Sequence, residues 1–368
     1  MHLLTATEAL ALRMTSLLLR PHPAAAPATV ADVVQWFGAM QAQDLASGMW
    51  SLGVRLPGHD HAAVHAALER REALRTWPMR GTVHLVPPRD ARWMLELTGV
   101  RSLAGAATRW AQLGLSEADA ERAVEVLGGA LAGGGRLTRA ECLATLEAAG
   151  IATSGQRGYH LLWYASVRGV TCLAPNVGTE QTFALLDEWA PQPHRPDRDE
   201  ALATLAHRYI RSHGPVTARE FAGWTGLTLT DARRGFAAAG DALAPVLVDG
   251  EAAVVDPVLL DTAPRRVDDV LVLPGFDEYL LGYRDRSLMV DPAHVKAIVP
   301  GGNGVFQATI VRAGRVVGTW KRTLDPTRVT VTVHPLVPLT ERVRARVERA
   351  LTGYAEFLGR APRLSWPG

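Results

Sequence analysis

Lysine is almost missing from this chain. Of its 39 basic residues only Lys296 and Lys321 are lysines, and the rest are arginines. A GC-rich genome favouring arginine codons accounts for such a skew, and arginine also suits bidentate phosphate contacts, so the bias alone assigns no partner. Cysteine is nearly as scarce. Cys142 and Cys172 are too few for a four-thiolate zinc site or an iron–sulfur cluster, which excludes both classes. Long apolar runs are missing too: nothing approaches the roughly 20 residues needed to cross a bilayer. Charge of one sign is not in excess, because the formal net charge is only +2, so nucleic-acid binding does not follow from composition.

What is present is ordinary globular material. Hydrophobic residues make up 48% and charged residues 21%, which argues against long disorder, and 368 residues give room for two to four modules. The stretch from Met1 to Arg20 mixes leucines with Thr5, Glu8 and Arg13 and reads as an amphipathic helix, without the basic front and unbroken apolar middle of a signal peptide. A cytoplasmic protein with reduced thiols is the expectation. The segment PHPAAAPAT, 21–29, reads as a surface loop, and DEWAPQPHRPDRDE, 187–200, as an interdomain linker.

One pattern recurs between these breaks. In residues 214–257, Thr217 and Glu220 form a capping box that starts a helix, and Gly226 ends it. Thr228 or Thr230 caps a second helix that runs to Gly240, and two apolar segments then flank an Asp249-Gly250 turn. Helix, turn, helix, hairpin is the order of a winged helix. A second copy begins at 135, with Thr138 and Glu141 as its capping box, a polar helix carrying Gln156, Arg157 and His160, and a short hairpin expected near Arg168-Gly169. A third, less regular copy begins at 29 and ends in the strand pair RTWPMRGTVHLVP. The last hundred residues change character, with strands around an Ala313-Gly314 turn and a closing helix from about Thr340 to Gly359. The wing tip Asp249-Gly250-Glu251 is acidic and would repel phosphate, so at least one module is expected to be scaffold.

Several segments carry chemistry-bearing residues. In MQAQD, 40–44, the apolar stripe Val30, Val34, Phe37 continues in a step of four to Gln41, which is therefore expected to face inward. If the chain extends there, Gln41 and Gln43 share a side, about 6.5 Å apart, with Asp44 on the other. Two inward amides must find partners; the plainer reading is a pair of glutamines capping a helix end and a loop. In RTWPMRGTVH, 75–84, strand alternation puts Arg80, Thr82 and His84 on one face. In FDEYLLGYRDRS, 276–287, Asp277, Glu278 and Asp285 read either as paired carboxylates for acid–base work or as an internal salt-bridge cluster with Arg284 and Arg286, the latter being favoured. The hairpin bearing Arg312 and Arg315 at its tip, with Lys321 and Arg322 on its return strand, is the best basic protrusion. His61 and His65 have metal-like spacing, but Asp60 reads as a helix cap there. GGNG, 301–304, lacks the lysine and hydroxyl residue of a phosphate loop.

Taken together, QAQ at 41–43, RTWPMRGTVH, FDEYLLGYRDRS, and NGVFQATIVRAGRVVGTWKR at 303–322 resemble the AlkZ and YcaQ family of winged-helix DNA glycosylases along nearly the whole chain. The family's catalytic motif is glutamine, an apolar residue, then glutamine or aspartate. The glutamine at 43 makes this chain similar to the AlkZ branch, associated with self-resistance to DNA-crosslinking antibiotics. The resemblance implies that Gln41 and Gln43 are catalytic and that Arg80, Thr82 and His84 line a DNA cleft. It also implies that Tyr283 and Arg286 are DNA contacts and that the hairpin with Arg312, Arg315, Lys321 and Arg322 probes the duplex. A purine alkylated at N7 or N3 is already cationic and leaves without a general acid, so uncharged amides that place a water suffice, and ordinary purines are expected to be inert.

The expected fold is thus α+β: three tandem winged-helix modules and a C-terminal β-rich domain forming a concave surface for double-stranded DNA. The boundaries are 1–115 for the module carrying QAQ, 116–186 for the second, 187–200 for the linker, 201–262 for the third, and 263–368 for the last domain. The expected activity is that of a monofunctional DNA N-glycosylase needing no cofactor or metal, a monomer with no membrane partner, cytoplasmic and associated with the nucleoid through DNA. Two rivals stand beside it. A winged-helix regulator without chemistry would ordinarily dimerise on a palindrome, and three unlike modules with one acidic wing speak against it. A metal hydrolase using His61 and His65 would lose activity to a chelator.

Overall fold

The computed structural model describes residues 2–240, 243–262 and 266–366. The fold is mixed α+β and divides into two compact units, one from residues 1–64, 203–224 and 228–368, the other from 65–202 with 225–227. The expected start of the C-terminal domain at residue 263 lies outside the described residues. No described helix is long and apolar enough to cross a membrane.

The first unit opens with a strand, His2–Leu4, and a helix, Ala6–Ser16, rather than one helix from the start, because Thr5 and Glu8 close a capping box there. From Ala9 onward this helix is buried on every side. Helix Val30–Phe37 begins with another box, Thr29 with Asp32, and ends at Gly38, whose φ of 78° turns the chain out of the helix. The extended pair Met40–Gln41 and helix Leu45–Gly53 follow. Further on, helices Ala218–Thr225 and Leu229–Ala239 lead into the hairpin Ala244–Val248 and Glu251–Val255, as the local signals predict. Thr217 and Glu220 bond reciprocally, Thr228 caps the second helix, and Asp249 and Gly250 take positive φ in the turn.

A five-stranded sheet completes this unit, in the order Val270–Leu273, Ala308–Arg312, Arg315–Leu324, Arg328–Pro335 and Ala361–Ser365. Its pairs are antiparallel except the last, a parallel pairing that follows from the crossover through helix Glu341–Phe357. That helix is capped by Thr340 as expected, and its Tyr354 sits edge-on between Trp50 and Trp320, at 5.0 Å from each ring.

In the second unit, helix Glu117–Leu131 precedes strand Arg136–Thr138, helices Arg139–Ala148 and Arg157–Val167, and strands Thr171–Val177 and Glu180–Leu185. Arg136–Thr138 pairs with Glu180–Leu185, which pairs with Thr171–Val177; that strand meets Leu74–Met79, which forms a hairpin with Thr82–Val86. The Thr138–Glu141 capping box is present. The hairpin expected near Arg168-Gly169 is not there. Gly169, at φ 72°, closes the preceding helix instead, and the strands turn at Gly178. Both signals are a glycine at positive φ, and sequence alone does not separate a helix stop from a hairpin turn. Residues 190–197 of the expected linker carry no regular structure, and helix Arg198–His213 follows them. Cys142 and Cys172 are free and buried, and burial pushes both thiols up to about 12.

Candidate active site

The QAQ segment is set by its flanks. Because Gly38 has already ended the helix, Gln41 does not extend the apolar stripe as expected. It lies in extended backbone, and it is buried for a different reason. Its N–H donates to Glu278 Oε1 at 2.8 Å, which draws the strand inward. The residue is 8% exposed, and its side-chain Oε1 is buried without a hydrogen-bond partner among the described residues. Such an orphaned acceptor costs about 1–3 kcal/mol, so in a native protein it asks for an explanation. Gln43 departs from expectation: the strand stops at Gln41, the chain bends, and Gln43 is exposed beside Asp44. The two amides are therefore one inward and one outward rather than both inward. The following helix comes close to the segment, and a Cβ on Gly48 would lie 3.0 Å from the Ala42 side chain.

Beneath Gln41 lies the FDEYLLGY segment. Phe276 has φ 63°, an uncommon conformation for a bulky residue, and after it Asp277 and Glu278 are both buried. Asp277 receives a bidentate bond from Arg55, Nη1 to Oδ2 at 2.8 Å and Nη2 to Oδ1 at 2.9 Å, with both side chains at most 2% exposed. Ser51 Oγ donates to the same carboxylate at 2.6 Å and the Tyr279 N–H at 2.9 Å. Glu278, 1% exposed, accepts from Gln41 N and from Trp224 Nε1 at 3.0 Å, and its Oε2 is 3.4 Å from His213 Nε2. His213 is stacked on Tyr209 at 4.6 Å, with Ser212 Oγ 2.8 Å from its Nδ1. Asp277 is thus held in an internal salt bridge, but with Arg55 rather than with Arg284 or Arg286 of its own segment. Glu278 belongs instead to the site, and local sequence pointed to it only as one of several carboxylates.

This packing leaves no slack at Gly282. A Cβ there would meet His213 Cδ2 at 2.2 Å and the Glu278 carbonyl oxygen at 2.7 Å. Gly282→Ala is expected to destabilise the protein by about 1–3 kcal/mol through overpacking, read as a lowered urea midpoint. An unchanged midpoint would show that the cage around His213 yields easily.

The other expected site residues fall into three groups. Tyr283 is a core residue, 1% exposed, with its OH donating to the His213 carbonyl and Arg13 lying 4.1 Å over its ring, so its expected DNA contact is withdrawn. His84 is corrected likewise: it is fully buried, with Nδ1 2.9 Å from the Thr82 carbonyl. Thr82 is half-buried at the strand start, while Arg80 sits in the turn at φ 55°, so the three do not share one strand face. Arg286 is half-buried, donating through Nε to the Leu280 carbonyl at 2.6 Å. The turn between Arg312 and Arg315 does not project freely, because Tyr279 donates to the buried Gly314 carbonyl and the turn packs on Leu10. The side chains of Arg312 and Arg315 and of Lys321 are exposed, and Arg322 reaches Asp44 at 3.6 Å.

The second unit holds a separate basic hollow of about 530 Å³. Arg80, Arg101, Arg109, Tyr159, His160 and Trp163 line it, and no acidic side chain does among the described residues. Burial, and then the nearby Arg109 charge, lowers the His160 pKa. Elsewhere in the chain the histidine spacing resolves as expected into a cap: Asp60 accepts from Ala63 N at 2.7 Å, and His61 packs edge-on to Phe357.

Comparison with known proteins gives the family to which this α+β chain belongs. The family model described as DNA glycosylase AlkZ-like matches residues 18–357. The chain belongs to the AlkZ-like family of DNA glycosylases and is itself a monofunctional DNA glycosylase. It is 29% identical over 311 residues to an interstrand DNA cross-link repair glycosylase of Streptomyces sahachiroi, covering 80% of this chain and 82% of that one. The solved structure of Streptomyces sahachiroi DNA glycosylase AlkZ is similar across 98% of this chain and 100% of its own, with a TM-score of 0.79 at 27% identity.

Proposed function

We propose that the protein hydrolyses the N-glycosidic bond of cationic alkylpurines in double-stranded DNA, N7-alkylguanine first and N3-alkyladenine second, and that it unhooks interstrand crosslinks. The observation that carries this reading is the buried Oε1 of Gln41, which has no hydrogen-bond partner among the described residues. A neutral amide oxygen fits a water that must be oriented but not deprotonated in advance. The water oxygen bonds to C1′ of an oxocarbenium-like sugar, the bond to the purine breaks with its electron pair going to the base, and the water proton is released once the new bond has formed. Gln43, which is exposed, is assigned to the same reaction from the solvent side of the segment. Because the alkylated base leaves as a neutral molecule, no acid is required.

The wider architecture is read in the same terms. Element order in 116–186 and in 201–262 supports winged-helix modules there, with a third assigned to 1–115 and the β-rich domain from 263, and double-stranded DNA is their assigned partner. Arg80, with Arg101 and Arg109 of the basic hollow, is assigned to the phosphate backbone, and Thr82 to the same surface. Arg286, Arg312, Arg315, Lys321 and Arg322 are assigned DNA contacts from the first unit. The enzyme acts as a monomer in the cytoplasm, bound to the nucleoid. The name of the Streptomyces sahachiroi relative supports the crosslink assignment, and with it a role in self-resistance to a DNA-alkylating antibiotic. A regulator is disfavoured because the exposed wing tip Asp249-Gly250-Glu251 is acidic and would repel phosphate.

The test is direct. Duplex DNA carrying 7-methylguanine should release the free base in the presence of a chelator, while undamaged guanine and adenine stay bound. Retention of 7-methylguanine, with a shift of one promoter sequence instead, would replace this reading with the regulator.

A further inference from the structure

We propose that Glu278 is the positioning residue of the glycosylase site, fixing Gln41 through its main chain; the inference rests on the catalytic assignment of Gln41. The carboxylate spans two functions with its two oxygens. Oε1 accepts the Gln41 N–H at 2.8 Å, while Oε2 accepts Trp224 Nε1 at 3.0 Å and faces His213 Nε2 at 3.4 Å. An amide N–H bound to a carboxylate makes a shorter and stronger bond than one bound to a carbonyl, and the rigid indole and stacked imidazole behind it leave the carboxylate little room to rotate. The Gln41 backbone is thereby pinned one atom from the Cα that carries the catalytic amide. At 1% exposure Glu278 cannot touch DNA, so its effect must pass through Gln41.

The geometry also explains why a carboxylate is needed. The donors converging on Glu278 come from a peptide, an indole and an imidazole, and a group with acceptors at both ends answers them. A carboxamide presents an acceptor at one end only. In Glu278→Gln, whichever way the amide turns, its NH₂ opposes either the Gln41 N–H or the indole N–H, and the strand or the tryptophan must move. Displacement of a catalytic group by about 1 Å costs about 100-fold in rate.

The experiment uses the full chain and duplex DNA with a single 7-methylguanine, measuring the single-turnover excision rate, DNA affinity and thermal midpoint for wild type, Gln41→Ala, Glu278→Gln and the double variant. Glu278→Gln is expected to excise about 100-fold more slowly, with DNA affinity unchanged, and the double variant no more slowly than Gln41→Ala alone. Losses that multiply in the double variant, or a wild-type rate for Glu278→Gln, overturn the proposal. If Gln41→Ala itself excises normally, the catalytic assignment has failed rather than the positioning. Should Glu278→Gln not fold, Trp224→Phe removes one donor to Oε2 and keeps an aromatic ring there; a loss of about tenfold in rate with retained affinity supports the proposal, and no loss rejects it.

Discussion

Gln41→Ala is expected to slow 7-methylguanine excision by about 100-fold or more while leaving duplex affinity and folding intact, because it deletes a preorganised contact that matters only at the reacting centre. Stability should respond in the opposite direction to activity. Gln41 Oε1 is a buried acceptor without a partner among the described residues, and removing it relieves a penalty of about 1–3 kcal/mol, offset by the small space left behind. A thermal midpoint equal to or above that of the wild type, together with lost excision, is the combined signature, as expected where function holds a group that folding alone would not keep. Gln43→Ala should lose less, roughly tenfold, about the worth of one hydrogen bond, since that side chain is exposed and solvent replaces part of its role. Single-turnover release of free base, measured beside DNA binding, separates the two. Full excision by Gln41→Ala would remove the amide from the mechanism.

Asp277→Ala should produce the largest loss of stability, about 3–5 kcal/mol. The Arg55 guanidinium is fully buried and donates to Asp277, Ser51 and the Leu17 carbonyl, and its planar group also lies 5.1 Å over the Phe37 ring. Truncating the aspartate would leave that cation buried without its counter-charge, in the middle of the contacts joining three helices. Ser51 Oγ and the Tyr279 N–H would lose their acceptor at the same time. Asp277→Asn keeps an acceptor and should lose less. Urea unfolding measures both, and a loss below about 1 kcal/mol for the alanine variant would mean that the pair is screened far better than its burial implies.

Local signals were the readable part of this chain. Each capping box pairs residues three apart, so Thr138 with Glu141 and Thr217 with Glu220 could be placed before any coordinates, and so could the Asp249-Gly250 and Ala313-Gly314 turns. Ambiguity began where one residue type serves two geometries, as with Gly169. Gln41 was expected inside and is inside, but the helical stripe was not the cause; the bond that draws it in comes from a residue 237 positions away. The same distance hid Glu278, which also meets Trp224 and His213, 54 and 65 residues off. Tyr283 and His84 failed as surface residues for a related reason. Tyr283 tips its hydroxyl, and His84 its Nδ1, onto a carbonyl inside the protein, a contact that periodicity does not reveal.

The two sealed thiols bear on where such an enzyme has to work. An agent that alkylates guanine also attacks protein nucleophiles, and the strongest of these is ordinarily a cysteine thiolate. Burial raises each thiol to about 12, so both sulfurs stay protonated at neutral pH, and neither lies at the surface. A protein folded this way keeps both of its thiols away from any electrophile that meets its surface.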